Sequence, residues 1–160
     1  MIYMAKILPI TINPNPILRK KSAELGEDSI KSPETKELCF DMGKTMLEKD
    51  GVGLAAPQIG KNIRIIAVNI EGKPTTMINP KILKKSWRKE IDQEGCLSVP
   101  DTFGQVKRHK KISYCYFDNS GKKIKDAAEG LLARVIQHEV DHLDGILFID
   151  KAKNVKTNNK

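Results

Sequence analysis

The chain has 160 residues, 39% of them hydrophobic and 30% charged, and a net charge of +8. That is the length and balance of one globular domain large enough to bury a core, not of a disordered or fibrous chain. No apolar run approaches the roughly 18–20 residues a membrane helix needs, and 5% aromatic content without a nucleic-acid motif argues against sequence-specific nucleic-acid recognition.

The first residues, MIYMAKILPITINPNP, are interrupted by Lys6 and Pro9, so no signal peptide is expected. Met4 is an equally good start, and residues 1–3 are expected to be dispensable. Residues 11–32 are rich in Asn, Pro, Lys and Ser, with one helical turn near 17–22. Pro33 suits the first turn of a helix running to about residue 49. Leu38, Met42, Thr45 and Met46 give that helix one apolar stripe, with Cys39 beside it as a buried thiol.

Residues 51–60, GVGLAAPQIG, read as a glycine-punctuated loop. Residues 63–70 read as a largely buried strand. A second strand lies within 75–83, broken by Asn79-Pro80, and a third at 86–92. Residues 106–117 form one extended segment, with Cys115 in a structural position. Asn119-Ser120-Gly121 is a hairpin turn leading to 122–127. The last strong element is a helix from about residue 128 to 143, stopped by Gly145. A short apolar segment follows at 147–149. Residues 1–150 are expected to form one domain, and 151–160 a basic, flexible tail.

Cys39, Cys96 and Cys115 make an odd count, which argues for reduced thiols in a cytosol-like compartment. Lysines concentrate at 81–89, 107–111, 122–125 and the last ten residues. They are either a solvated basic surface or an attraction to an RNA-rich partner.

The chemistry centres on Gln137-His138-Glu139-Val140-Asp141-His142. On a helix, positions four apart share a face about 6 Å apart, so His138 and His142 can reach one metal ion. Glu139 can reach a water there and act as general base. A catalytic site wants a third protein ligand and one open position. Downstream of His142 only Asp144 and Asp150 are available, so the best candidate lies upstream at Cys96, whose thiolate suits zinc or ferrous iron. The glycines of residues 51–58 fit a degenerate dinucleotide fingerprint. A helix precedes them and Pro57 interrupts them, which rejects cofactor binding of that kind. Gly53 instead lets backbone approach a ligand, and Gln58 offers a neutral amide donor.

Three segments stand in order: GVGLAAPQ at 51–58, EGCLS at 94–98 and QHEVDH at 137–142. Together they resemble peptide deformylases, metallo-hydrolases that remove the N-formyl group from new polypeptides. The resemblance covers nearly the whole chain. It implies that Cys96, His138 and His142 bind the metal, with ferrous iron as the usual ion and zinc, nickel or cobalt able to replace it. It implies Glu139 as proton carrier, and Gln58 with the Leu97 backbone N–H as oxyanion donors. Glu94 would pair with Arg108 to fix the Cys96 loop. Val52, Leu131 and Val135 match positions lining a methionine side-chain pocket, although Leu131 and Val135 would equally serve as plain core. The backbone at Val52 and Gly95 would pair with the extended substrate. Residues after Asp150 do not read as the longer C-terminal helix of many bacterial members.

The expected architecture is α+β, with antiparallel or mixed sheets packed around a central metal-binding helix and an N-terminal helix. The expected partners are formyl-methionyl nascent peptides, with weak electrostatic attraction to ribosomes, and the expected state is a cytoplasmic monomer away from membranes. Two other readings remain: a different metallo-hydrolase on a similar site, of aminopeptidase or endopeptidase type, or a non-catalytic metal-stabilised module. Cys96 and Gln58 argue against the first, because common His-Glu-x-x-His peptidases use a glutamate or histidine as third ligand, and Glu139 and Gln58 argue against the second.

Overall fold

The computed structural model describes residues 2–159. Two short elements, a 3-10 turn at Pro16–Arg19 and helix α1 (Glu27–Ile30), precede the long helix α2 (Pro33–Glu48). Ser32 caps α2 by accepting a hydrogen bond from the Thr35 N–H, and Pro33 occupies its first turn. A five-stranded antiparallel sheet follows in the order β1 (Gly53–Ala55), β2 (Ile65–Ile70), β3 (Lys73–Lys85), β6 (Lys111–Phe117), β7 (Lys123–Glu129). A second sheet has the order β4 (Lys89–Cys96), β5 (Val99–His109), β8 (Lys153–Thr157). Helix α3 (Leu131–Leu143) carries the two histidines.

The larger sheet lies between the two long helices, which is why β2 reads as an unbroken apolar run. Strand side chains alternate faces. Ile65 and Ala67 join Met42, Met46 and Cys39 of α2 in one cluster, while Ile66 and Val68 join Ile136, Val140 and Leu143 of α3 in another. Ile65, Ile66, Ala67 and Val68 are all fully buried. Burying each of the larger ones contributes roughly 1.5–3 kcal/mol. Cys39 and Cys115 are buried free thiols.

Several expectations need correction. Asn79-Pro80 does not break the second strand. β3 runs through it with a bulge between Ile78 and Lys81, and Asn79 adopts φ 49°. The bulge accommodates a proline that cannot donate to the ladder. The Asn79 side chain takes over, accepting from Leu25 N–H at 2.9 Å and donating to Leu25 C=O at 2.8 Å. The strand expected at 86–92 begins at Lys89 and runs on to Cys96. The extended segment at 106–117 is two strands, β5 and β6, parted at Lys110. Helix α3 starts at Leu131 rather than residue 128, because residues 128 and 129 pair with Ile112 and Lys111 in the sheet. Gly130, at φ 65°, makes the break between strand and helix. The loop at 51–60 contains β1 and a 3-10 turn, Ala56–Ile59.

Half of the expected tail, residues 153–157, is a strand. β8 pairs with β5 through Thr157, Lys156 and Lys153. A Cβ on Gly104 would lie 2.7 Å from Ala152 Cβ, so the glycine permits the close approach of this segment. Its side chains are exposed, which is why hydrophobic patterning missed it. Tyr3 is not idle either: its hydroxyl lies 2.8 Å from both carboxylate oxygens of Asp41. Met1 is outside the described residues.

Candidate active site

The site lies where α3, the turn after β1 and the end of β4 meet. His138 and His142 stand one turn apart on the side of α3 facing Cys96, the last residue of β4. Their exposures are 8% and 1%. One ligand atom from each of Cys96, His138 and His142 lies within 4.8 Å of the others. The Cys96 thiol is 3.3 Å from His142 Nε2. His138 Nδ1 is engaged by Glu94 Oε1 at 3.2 Å, which fixes the ring and leaves Nε2 as its other nitrogen.

The surroundings suit a cation. Burial works against a charged His138, yet Cys96, Glu94 and Glu139 together raise its pKa above the usual histidine value. Three acidic groups thus favour positive charge at this point, and a divalent ion would supply it. Burial, with His138 and Arg108 nearby, pushes His142 well below its ordinary pKa. A neutral buried imidazole keeps its lone pair for a metal. One thiolate and two imidazoles therefore fit zinc or ferrous iron, with a fourth position open.

Glu139 faces this group from the same helix. It is 3% exposed, and its Oε2 has no hydrogen-bond partner among the described residues. Burial pushes its carboxyl up to about 7, so it can both take and return a proton near neutrality. Gln58 sits in the turn after β1, 2% exposed. Its Oε1 accepts from the Ala55 N–H at 2.8 Å, which turns the NH2 end toward Cys96 Sγ at 3.4 Å and Ser98 Oγ at 3.2 Å. The N-terminal segment ties these loops together, with Thr11 N–H donating to Gln58 C=O and Asn13 N–H to Ser98 C=O.

Glu94 and Arg108 form a buried ion pair across β4 and β5, at 7% and 4% exposure. Burial raises the Glu94 carboxyl, but His138 and Arg108 outweigh it and hold it below the usual glutamate value. Arg108 also pairs with Asp141, which Lys151 joins from outside.

A cavity of about 410 Å³ opens beside these groups. Val52, Gly53, Gly95, Leu97, Leu131 and Val135 all line it. Val52 and Leu131 are 54% and 67% exposed, so these two are not core. Val135 lines the cavity and also belongs to the main core cluster, so for it both readings hold.

Three neighbours were not expected. Phe103 lines the cavity opposite Gly95, its cross-strand partner; a Cβ there would sit 2.9 Å from the ring. Ser98 holds the Gln58 amide. Arg134, one turn before His138, lines the wall while donating to the carbonyls of Val106 and Glu90, both at 2.8 Å. Its i,i+4 spacing to His138 was a usable signal; Phe103 had none without the register of β4 on β5.

Metal-assisted hydrolysis is the chemistry that gives the thiol, the two imidazoles, the free carboxylate and the fixed amide each a use, so the fold and site define a metallo-hydrolase. Residues 7–158 match the family model described as polypeptide deformylase. A peptide deformylase of Dictyoglomus thermophilum is 47% identical over 91% of this chain and 94% of its own. The crystal structure of peptide deformylase from Thermotoga maritima superposes with a TM-score of 0.88 at 36% identity, covering 92% of this chain and 99% of that one. A Met-Ala-Ser-bound class I type b peptide deformylase of Acinetobacter baumannii gives 0.89 at 37% identity, with coverage of 92% and 99%. The chain belongs to the polypeptide deformylase family.

Proposed function

We propose that this chain, a hydrolase that removes the N-formyl group from newly made polypeptides as its family does, works with one divalent ion held by Cys96, His138 and His142. The reading of the metal as Fe2+, replaceable by Zn2+, Ni2+ or Co2+, is supported by a mixed thiolate and imidazole donor set. The ion supplies a Lewis acid and lowers the pKa of water. The observation that carries the proposal is the unpartnered Glu139 oxygen beside that donor set.

Glu139 takes a proton from water as its oxygen adds to the formyl carbon. Negative charge develops on the formyl oxygen, and the Gln58 NH2 and the Leu97 backbone N–H donate to it. As the C–N bond breaks, Glu139 passes its proton to the departing amine. Formate and a free N-terminus result. Glu94 and Arg108 keep His138 oriented and the Cys96 strand end in place.

The methionine side chain enters the cavity past Val52, Leu131 and Val135, and the substrate backbone runs along Gly95 and residues 52–53 in strand fashion. The Met-Ala-Ser-bound Acinetobacter protein supports a methionine-first ligand. The enzyme works as a monomer in the cytoplasm. Its weak attraction to ribosomes rests on the net charge of +8. The test is anaerobic formate release from formyl-Met-Ala-Ser by metal-loaded protein, with Glu139→Ala as control. Absence of formate from the loaded wild type, or equal release by the control, overturns the reading.

A further inference from the structure

We propose that Trp87 and the basic cleft beside it form a docking surface for single-stranded RNA. Trp87 is the only tryptophan of the chain and is 97% exposed. It stands at the turn between β3 and β4, flanked by Lys84, Lys85, Arg88 and Lys89.

This turn is a rigid mount. Ser86 N–H donates to Lys111 C=O, and Lys110 N–H to Arg88 C=O, both at 2.9 Å. Ser86 Oγ donates to Arg88 C=O at 2.8 Å and accepts from Lys111 N–H at 3.0 Å. His109 Nδ1 lies 2.6 Å from Ser86 C=O. An aromatic ring held fully in water on a fixed turn is a surface feature, not a failed core residue.

Behind α3, a cleft of about 700 Å³ opens between the two sheets. Its floor includes Asp141 and Asp144, but Arg108 and Lys151 neutralise the first and Arg64 the second. Lys85, Lys89 and Lys107 stand on its walls, and none pairs with an acid among the described residues. The cleft therefore has a net positive lining next to an open indole face.

Lysines in a groove follow a phosphate backbone, and an exposed indole stacks on any unpaired base. A bilayer fits less well, because it is flat and cannot reach into a cleft. The occupant is read by charge and stacking, in keeping with the lack of a sequence-specific motif. Gln137, Val140 and Asp141 face the cleft while Leu131, Val135 and His138 face the catalytic cavity. RNA on one side of α3 thus leaves the substrate entrance free on the other. The surface deepens the proposed attraction to ribosomes, and the two can fail separately.

The probe is a fluorescein-labelled 12-nucleotide oligouridylate titrated against the full chain, read by anisotropy and by the emission of Trp87. Binding should quench the indole. Lys85→Glu/Lys89→Glu/Lys107→Glu should weaken binding at least tenfold and lower the slope of log affinity against log salt by about two. Trp87→Ala should weaken it roughly tenfold. Both variants should deformylate a formyl-methionyl tripeptide at the wild-type rate, which reports an intact fold. No RNA binding by the wild type, equal binding by the triple variant, or binding without quenching overturns the proposal. So does quenching by phosphatidylserine vesicles without quenching by RNA. If oligouridylate binding is lost in the triple variant and ribosome co-sedimentation is not, the RNA surface stands and only its ribosomal use falls.

Discussion

The carboxylate of Glu139 occupies the space where Gly53 would carry a side chain. A Cβ built on Gly53 meets the Oε1, Cδ and Cγ atoms of Glu139 at distances no real contact shows. The glycine of β1 thereby sets where the proton carrier of α3 can stand.

Gly53→Ala should therefore move the carboxylate and cost activity more than stability. The expected loss in kcat/KM is tenfold or more, and the expected stability loss about 1–3 kcal/mol from overpacking. Kinetics and thermal melts of the same preparation check both. Unchanged kcat/KM would show that Glu139 works equally well from elsewhere.

Gln58→Ala should reduce kcat by roughly 10²–10³-fold, the usual effect of losing one oxyanion donor. Metal content should stay at the wild-type level, because Gln58 contacts Cys96 only through a 3.4 Å N–H to sulfur approach. Metal analysis beside the kinetics separates a lost donor from a lost ion.

Arg108→Met should destabilise the fold by roughly 3 kcal/mol, the low end for breaking a buried pair, since it leaves Glu94 the longer contact at 3.8 Å as its only arginine partner, Arg134, and Asp141 only Lys151. For a chain of this length that is about 10 °C in Tm. Glu94 would lose the counter-charge that helps it hold His138, so metal affinity should fall as well. Calorimetry and a metal titration report the two effects.

Truncation after Asp150 should do more than trim a loose end. It removes β8 and bares the edge of β5 that carries Phe103 of the cavity wall. Net hydrogen bonds of about 1 kcal/mol each, less the entropy of ordering the strand, leave a loss of roughly 1–2 kcal/mol. KM for a formyl-methionyl peptide should rise while kcat changes little.

The Arg19–Asp150 pair gives a small acid-side dependence. Burial raises the Asp150 carboxyl, but the Arg19 hydrogen bond, the Leu147 N–H and the charge of Arg19 outweigh it and depress its pKa. A depressed carboxyl stabilises the fold above its unfolded value near 4 and stops doing so as pH falls through its folded value. Both partners are about two-fifths exposed, so screening limits the effect to roughly 0.5 kcal/mol. Asp150→Asn keeps an acceptor for Leu147 and removes the charge. Its deficit against wild type should be present at pH 7 and vanish at pH 2.

The site was legible because its chemistry is local in sequence. His138, Glu139 and His142 share one helical register, and Cys96 and Gln58 each lie in a short, distinctive segment. What was not legible depends on partners far along the chain. Nothing near Asn79 announces that Leu25 will satisfy its side chain and let β3 pass a proline. Nothing in KAKNVKTNNK announces that β5 offers an open edge, because strand pairing through backbone alone leaves no hydrophobic trace. Phe103 was missed for the same reason: its place opposite Gly95 is a matter of register.

The metal donor set draws on two separate pieces of the fold. Cys96 ends a strand of the smaller sheet, and the histidines belong to α3, which packs against the larger one. Whatever ion sits among them acts as a rivet across that seam. Folding is then linked to the free metal concentration by mass action, and a hundredfold excess over Kd adds about 2.7 kcal/mol. A cell short of the ion would hold fewer folded copies of the protein as well as fewer active ones.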